Sequence, residues 1–273
     1  MPLRLATFSD IGPISKILAA SFYDEELNDH IFPFRKQYPH DYLSVWKQKT
    51  VTGWWDYSKV WVVWENEDGL TGPNTTSGTT ITGVAQWGRE GEGSDRLWGL
   101  VRWWDPRRLI SPFLSFIYTV RRFFIRNRSV AQPTPADPNP LNKWNFGPRL
   151  WPFTSHYFTH PAYRRNHWEL CTLAVDPAYQ RRGIGQQLVA WGLERARTDG
   201  LPAVVIGATD TEPFYQRCGF KYLVGYASKA ELEDEKDLDS SKATRLDKTN
   251  PLNARGLGGG AIMWTELRDE DEK

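Results

Sequence analysis

The chain has 273 residues and a formal net charge of +1 at pH 7, so it can bury a sizeable core and carries no bulk charge that would attract nucleic acid. It contains 14 tryptophans but only two cysteines, Cys171 and Cys218, which excludes a disulfide-rich scaffold and favours a reducing compartment. No run approaches the roughly 18 apolar residues of a membrane span, and MPLRLATFSD has no signal-peptide core, so we expect a cytoplasmic protein, with the nucleus as the alternative.

The N-terminal part of the chain predicts a strand followed by two helices. Leu3 to Ala6 is a short apolar run, and Asp10 can cap the helix that follows it. Apolar residues recur at helical spacing from His40 to Thr50, whereas the polar and aromatic stretch 24–40 predicts no defined element.

The region that follows predicts a β-hairpin and then a long irregular stretch. The hairpin strands are Val60–Trp64 and Ile81–Trp87, and the loop between them, 69–80, is rich in Gly, Thr, Ser and Pro. Beyond the hairpin, 90–167 contains a helical candidate at Leu109–Arg126, a proline-rich stretch and a segment rich in aromatic residues and His.

The segment from Arg107 to Arg128 carries six arginines and no acidic residue. A basic aromatic helix of this kind is compatible with a membrane surface or with nucleic acid. We prefer a helix packed on the domain, its arginines solvated or paired, because the chain as a whole is close to neutral. Nucleic acid is therefore not expected as a partner.

The segment from Leu170 to Leu188 predicts a strand, a tight turn, a glycine loop and a helix. Leu170–Val175 is an apolar run, and Asp176-Pro177 ends it because proline cannot extend a β-ladder. A helix then opens at Gln180–Gly185. Its apolar positions share one helical face, and they are Gly185, Leu188, Val189, Gly192, Leu193 and Ala196.

A glycine loop at a helix start is suited to an anion, because free amides and the helix dipole point at one spot. Gly183 and Gly185 lack the Cβ atoms that would hold a phosphate away, and Arg181 and Arg182 add positive charge. No Gly-Lys-Ser/Thr follows, which excludes a P-loop, and Leu188 stands where a dinucleotide fingerprint needs its third glycine.

The rest of the chain predicts short elements that alternate in an α/β manner. They are a fifth strand at Ala203–Gly207, a short helix at Glu212–Cys218, a sixth strand at Phe220–Val224, a polar loop at 229–258, a last strand at Ala261–Trp264 and an acidic tail at 268–273.

Two of these motifs, in this order, resemble the acetyl-CoA signatures of the GNAT N-acetyltransferases. The first is Gln180–Gly185 after a strand that ends in Leu173-Ala174-Val175, and the second is the stretch 213–220, PFYQRCGF. The resemblance implies a GNAT fold of the α/β class, with a mixed central β-sheet of about seven strands flanked by helices. It implies one domain over 1–267, with 90–167 as a large Trp-rich insertion between the third and fourth strands.

In that family the loop amides hold the pyrophosphate of coenzyme A, and the end of the preceding strand pairs with its pantetheine arm. The resemblance therefore implies acetyl-CoA as co-substrate and no metal. By position, the binding residues would be Leu173, Ala174, Val175, Gln180, Arg181, Arg182, Gly183, Ile184, Gly185 and Gln186.

The resemblance also implies two catalytic residues. Glu169 is the candidate base that takes the amine proton, and Tyr215 is the candidate acid that protonates the departing thiol. A backbone N–H near Leu173 or Val175 is expected to polarise the thioester carbonyl. Cys171 is expected to be a buried apolar residue rather than a covalent nucleophile. Alternatives to Glu169 stay open, and they are His156, His160, His167 and Asp176.

The acceptor is predicted from the aromatic insertion. Trp and Tyr faces suit an ammonium group or a sugar ring, and a long insertion closes a site more often than it opens one. We therefore expect direct transfer, in a ternary complex, to the primary amine of a small molecule. A protein or peptide acceptor, an acyl-CoA-binding module without catalysis and a homodimer stay open.

Overall fold

The computed structural model describes residues 2–67, 79–94, 106–232 and 249–267. The strands are β1 Leu3–Leu5, β2 Lys59–Glu67, β3 Thr79–Glu90, β4 His167–Val175, β5 Ala203–Gly207, β6 Tyr222–Tyr226 and β7 Ala261–Trp264. The helices are α1 Ile11–Ser21, α2 Glu26–Ile31, α3 Pro39–Trp55, α4 Arg107–Phe124, α5 Phe146–Thr154, α6 His156–Thr159, α7 Ile184–Asp199 and α8 Glu212–Cys218.

The strands form one mixed sheet in the order β1-β2-β3-β4-β5-β7-β6. Neighbouring strands are antiparallel except for β4 and β5, which are parallel and are connected by α7. A parallel pair needs such a crossover, because a tight turn cannot return the chain in the same direction. The predicted α/β class and the seven-stranded mixed sheet flanked by helices are confirmed.

Two glycines let α7 pack closely against the sheet. A Cβ atom on Gly192 would lie 2.0 Å from the Trp87 ring, and one on Gly83 would lie 2.6 Å from Ile184. The fully buried Trp87 also donates its indole N–H to the Leu188 carbonyl at 3.3 Å. This packing fixes where the first turn of α7 stands relative to the ends of β3 and β4.

Three apolar clusters pack on the sheet in the described part of the chain, and one of them includes Leu150, Phe158 and Trp264. A second lies beneath α7 and α8 and includes Leu170, Val205 and Tyr215. The third lies beneath α1 and α3 and includes Ile14 and Trp46. A β-bulge in β4 leaves Cys171 as the extra residue, because Gln86 pairs with Thr172 and Trp87 with Leu170, so the side chains of β4 change faces along the strand.

The predicted elements differ from the structure mainly at their ends and in the stretch 24–40. That stretch contains α2, which the sequence did not predict, and the sixth strand begins and ends two residues later than the predicted Phe220–Val224. The helical candidate at 109–126 corresponds to α4. Most of the predicted loop 69–80, the centre of the polar loop 229–258 and the tail 268–273 lie outside the described residues.

Candidate active site

The strands β4 and β5 pair only near their beginnings and then separate. The last residues in register are Leu170 and Val205, although β4 continues to Val175 and β5 to Gly207. The sheet therefore opens between these two strands, on the side of β4 that does not face β3. We call this feature the β4–β5 opening.

Main-chain groups of β4 point into the β4–β5 opening. Asp176 N donates to Thr82 O at 2.9 Å, which fixes the phase of the β3–β4 ladder. Because hydrogen-bonded and non-hydrogen-bonded pairs alternate along antiparallel strands, the amides of Leu173 and Val175 face away from β3. The Val175 carbonyl has the same direction, since it accepts the Ser21 hydroxyl at 2.9 Å. The opening thus offers the amides of Leu173 and Val175 to an extended ligand, whereas the Val175 carbonyl already accepts hydrogen bonds from within the chain.

The loop before α7 has the shape of an anion site. Arg181 and Gly183 both have left-handed backbones, with φ of 61° and 79°. The first helical bond runs from Gln187 N to Gly183 O at 3.2 Å, so the first three amides of the helix have no acceptor within it. A Cβ on Gly183 would meet no atom within 4 Å, which leaves the space before these amides open. Strain at a non-glycine residue such as Arg181 is characteristic of ligand-binding loops.

The sequence-predicted coenzyme residues lie on a path from this loop to the β4–β5 opening. The Gln180 side chain donates back to the Val175 carbonyl at 3.2 Å. Leu173 packs beside Gly185, whereas Ala174 turns its side chain into the core on the opposite face. Ile184 is buried, so only its amide can serve a ligand. The exposed members of the path are Gln180, Arg181, Arg182, Gly183 and Gln186.

Tyr215 stands on α8 at the other side of the opening. Its ring packs edge-on against Phe214 and Phe220, with centroids 5.1 and 5.9 Å away, and only 9% of the residue is exposed. A Cβ on Gly207 would lie 3.2 Å from the Tyr215 ring, so the glycine at the end of β5 makes room for the phenol. Burial raises the pKa of Tyr215 above its usual value, so the hydroxyl keeps its proton at neutral pH.

Glu169 lines a cavity of about 530 Å³ on the face of the sheet opposite to Tyr215. Glu90, at the end of β3, lines the same cavity, and Ile206 lines it just past the last β4–β5 pair. The cavity therefore borders the β4–β5 opening. Burial raises the pKa of Glu90, and the neighbouring charge of Glu169 raises it further. The walls are aromatic and aliphatic side chains of the insertion, namely Phe146, Leu150, Trp151 and Phe158. We call it the Glu169 cavity.

Among the alternative bases, only His167 lines the Glu169 cavity. His167 Nδ1 lies 2.6 Å from the Arg164 carbonyl and donates to it, which leaves Nε2 as the acceptor nitrogen of a neutral ring. Burial lowers the pKa of His167, in keeping with that neutral form. His160 bonds to Thr159, and Asp176 accepts the Ala178 amide in the turn after β4.

Cys171 is not activated as a nucleophile. Burial, and then the charge of Glu169, raise the pKa of its thiol well above the usual value, and a thiol without its thiolate form is unreactive. Cys171 is half-buried rather than buried, which differs from the expectation of a buried apolar residue.

Burial lowers the pKa of Lys143 to about 8, with a further contribution from Lys49.

Sequence reasoning missed Glu90 and did not single out Phe146 or Trp151. Glu90 was placed at the start of the insertion, but β3 extends to it, opposite His167 on β4. The sequence signal for Glu90 was its position two residues after Gly88, at the end of an apolar strand. The aromatic residues gave no signal beyond composition, because their place in the wall depends on contacts between the insertion and the sheet.

Neither a metal centre nor a membrane span was found in the part of the chain that the structure describes. No group of three His, Cys, Asp or Glu side chains there is arranged to hold a metal ion. None of the described helices is both long and apolar enough to cross a bilayer.

Residues 149–220 match the family described as the Acetyltransferase (GNAT) family. This range contains both sequence motifs, the β4–β5 opening, Glu169 and Tyr215. The match covers 72 of the 273 residues, and it agrees over this part of the chain with the resemblance that the two motifs carry.

One of the following solved structures has a TM-score above 0.5 and shares the fold, and all three have low sequence identity to this chain. A structure described as histone acetyltransferase HPA2 and related acetyltransferase, from Corynebacterium glutamicum, is 16% identical with a TM-score of 0.51, and 98% of this chain and 97% of that chain are covered. A GNAT family acetyltransferase from Brucella melitensis, solved in complex with acetyl-CoA, is 14% identical, covers 80% of each chain and has a TM-score of 0.34. A mosquito arylalkylamine N-acetyltransferase-like protein is 16% identical, covers 96% of each chain and has a TM-score of 0.40.

Proposed function

We propose that this chain, which carries the acetyltransferase domain of the GNAT family, moves an acetyl group from acetyl-CoA to the primary amine of a small molecule by direct transfer in a ternary complex. The observation that carries the proposal is the junction of three features. The amides in the first turn of α7 come shortly after the end of β4, and Glu169 of β4 and Ile206 of β5, the strands on either side of the β4–β5 opening, both line the Glu169 cavity. A coenzyme that enters along the first two would present its thioester to the third.

The chemistry assigns one task to each group. A carboxylate of the cavity, Glu169 in the first instance, takes a proton from the ammonium group, directly or through water. The amine nitrogen then attacks the thioester carbon, and an amide of Leu173 or Val175 donates to the oxyanion that forms. The carbon–sulfur bond breaks, and the thiolate receives the proton of Tyr215. The amide nitrogen releases its second proton to water, and the phenolate regains a proton from water.

The cavity supports a small cationic acceptor rather than a polypeptide. Its volume of about 530 Å³ lies in the range of roughly 300–1,000 Å³ that small-molecule sites occupy. Two carboxylates, Glu90 and Glu169, lie among the rings of Phe146, Trp151 and Phe158. Carboxylates and ring faces together bind ammonium ions, and the apolar walls suit an attached hydrocarbon or aromatic group.

The test combines coenzyme binding with thiol release. Calorimetric titration measures the binding of coenzyme A, and a thiol-reactive dye follows free coenzyme A while aromatic amines, aliphatic amines, amino sugars and lysine peptides are offered with acetyl-CoA. We expect thiol release with small apolar primary amines. Binding without release on any amine would favour a non-catalytic acyl-CoA module, and release only on peptides would overturn the small-molecule assignment.

A matched pair of variants assigns the acceptor to the Glu169 cavity. Trp151→Ala removes a wall of the cavity, whereas Trp191→Ala removes a tryptophan of α7 on the other face of the sheet. We expect the first change to raise KM for the amine about tenfold and to leave coenzyme A binding unchanged. Equal effects of the two changes on amine KM would contradict the assignment.

A further inference from the structure

The helix α4 exposes a row of large apolar side chains. Phe113, Phe116 and Phe124 are 61%, 65% and 84% exposed, and Ile117 lies between them at 39%. These positions are three, four and seven residues apart, so they fall on one face of the helix. Single exposed apolar residues are ordinary, but a contiguous row of phenylalanines marks a surface that meets something apolar. We call this face the Phe113–Phe124 stripe.

The stripe does not face the domain. The helix meets α3 through a different side, where Tyr118 lines a cavity together with Ser44 and Gln48. The exposed Arg121 lies at the boundary between that side and the stripe, one turn from both Ile117 and Phe124. One side of the helix therefore packs against the domain, and the stripe faces solvent. The prediction of a helix packed on the domain holds only for that first side.

The charge around the stripe has one sign. The sequence from 107 to 128 carries six arginines and no acidic residue. Arg128 pairs with Asp41 across to α3, at 3.1 Å, and Arg126 donates to Gln132. Arg121, four residues after Ile117 and three before Phe124, is exposed beside the stripe, so the described charge there is positive in a chain whose net charge is close to zero.

We propose that α4 docks this protein on the surface of an anionic membrane, with the Phe113–Phe124 stripe among the upper acyl chains and the arginines against lipid phosphates. A helix with phenylalanines on one face and arginines beside them has the composition of helices that lie in the plane of the bilayer interface. The aliphatic parts of the arginine side chains extend toward the headgroups, so the guanidinium groups stay in the headgroup layer. Each basic group near an anionic leaflet adds to the attraction.

Charge and apolarity together favour lipid over other partners. Nucleic acid would satisfy the arginines but would leave the phenylalanines in water, because a helix stripe of this length does not fit between bases. A second copy would bury the phenylalanines but would bring two basic surfaces together, which like-charge repulsion opposes. An anionic bilayer satisfies both features at once.

Vesicle flotation of the full chain tests the proposal. Vesicles of phosphatidylcholine alone are compared with vesicles in which about one lipid in three is phosphatidylserine, at low and at high salt. We expect flotation with the anionic vesicles at low salt, at least about tenfold less with neutral vesicles, and a marked loss at high salt.

Variants locate the contact. Replacing Phe113, Phe116 and Phe124 together by Ser should weaken binding at least about tenfold, whereas Tyr222→Ser with Leu223→Ser, exposed apolar residues of β6, should leave it unchanged. Arg121→Gln with Arg126→Gln should also weaken binding, and Arg195→Gln with Arg197→Gln on α7 should not. Coenzyme A affinity and Tm of each variant show whether it is folded.

Three results would overturn the proposal. One is wild-type protein that does not float with anionic vesicles at low salt. Another is a folded Phe113, Phe116 and Phe124 triple variant that floats as well as the wild type. The third is protein that does not bind vesicles but binds another partner through α4. A dimer that the triple variant abolishes would identify a second copy as the occupant, and duplex-DNA binding that the arginine variant abolishes would identify nucleic acid.

Discussion

Glu169 and Tyr215 lie on opposite faces of the central sheet, on either side of the β4–β5 opening. Tyr215 belongs to the core that contains Leu170 and Val205, whereas Glu169 lines the cavity beneath the insertion. A thioester in the opening can therefore meet a base from one face and an acid from the other. The base acts on the nitrogen and the acid acts on the sulfur, which are different substituents of the tetrahedral carbon, so the two side chains can approach from different directions.

Loss of the Tyr215 hydroxyl should slow the chemical step without weakening the binding of coenzyme A. Tyr215→Phe keeps the ring packing against Phe214 and Phe220, and it removes only the proton donor. We expect kcat to fall on the order of a hundredfold, with the Kd of coenzyme A within about twofold of the wild type. Tyr222→Phe on β6 serves as the control, and an unchanged kcat in Tyr215→Phe would remove the assigned acid.

A methyl group at the start of α7 should obstruct the coenzyme, while the same methyl group at its end should not. Gly183 and Gly200 both have left-handed backbones, with φ of 79° and 65°, and a Cβ on either would meet no atom within 4 Å. Alanine therefore costs each site about 1 kcal/mol of backbone strain. We expect Gly183→Ala alone to weaken coenzyme A binding about tenfold or more by calorimetry. Equal Kd values for the two variants would place the pyrophosphate elsewhere.

Glu90 should make acceptor binding sensitive to pH. Burial and the charge of Glu169 raise the pKa of Glu90, so this carboxyl takes up its proton at a higher pH than an ordinary glutamate does. As the pH falls through that raised pKa, the wild type should lose affinity for a cationic amine. In Glu90→Gln the amine KM should be about tenfold higher at neutral pH and should converge with the wild type in acid.

The control for this effect is Glu92→Gln, an exposed residue just beyond the end of β3. The measurement is kcat/KM for the amine across a pH series at saturating acetyl-CoA. A Glu90→Gln profile that runs parallel to the wild type at all pH values would exclude Glu90 from acceptor recognition.

Lys143 should limit stability at neutral pH. Burial lowers its pKa from 10.5 to about 8. The folded state therefore resists a proton that the unfolded chain accepts, so stability is lost as the pH falls from 10.5 through about 8 and stays reduced below. Lys143→Met should raise stability by about 1–2 kcal/mol near neutral pH and should add little near the ordinary lysine pKa.

Thermal unfolding at a series of pH values measures this difference. Lys47→Met on α3 replaces an exposed lysine and supplies the control. A Lys143→Met variant whose Tm differs from the wild type by the same amount at neutral and at alkaline pH would contradict a buried amine with a lowered pKa.

Local signals in the sequence predict the parts of the site that are built from consecutive residues. β5, α8 and β7 begin and end at the residues predicted for them. For α8 the reason is visible, since Pro213 suits the first turn and Gly219, at φ 117°, ends the helix in a conformation that other residues resist. The glycine loop before α7 is predictable in the same way.

The acceptor cavity could not be predicted, because residues distant in sequence form it. Glu90 and Glu169 come together only through the β3–β4 register, and Phe146 and Trp151 reach them only because α5 folds over the sheet. The exposure of Phe113 and Phe124 could not be predicted from the sequence for a similar reason. Helical spacing of apolar residues marks one face of α4 but does not say whether the domain or another surface covers it.

A crystal structure of the full chain with coenzyme A would locate the coenzyme. We expect the pyrophosphate to contact the amides at the start of α7 and the pantetheine to follow the edge of β4 past Leu173. We expect the sulfur to lie within hydrogen-bond reach of the Tyr215 hydroxyl and beside the Glu169 cavity. Phosphates bound away from α7, or a sulfur outside the β4–β5 opening, would contradict these expectations.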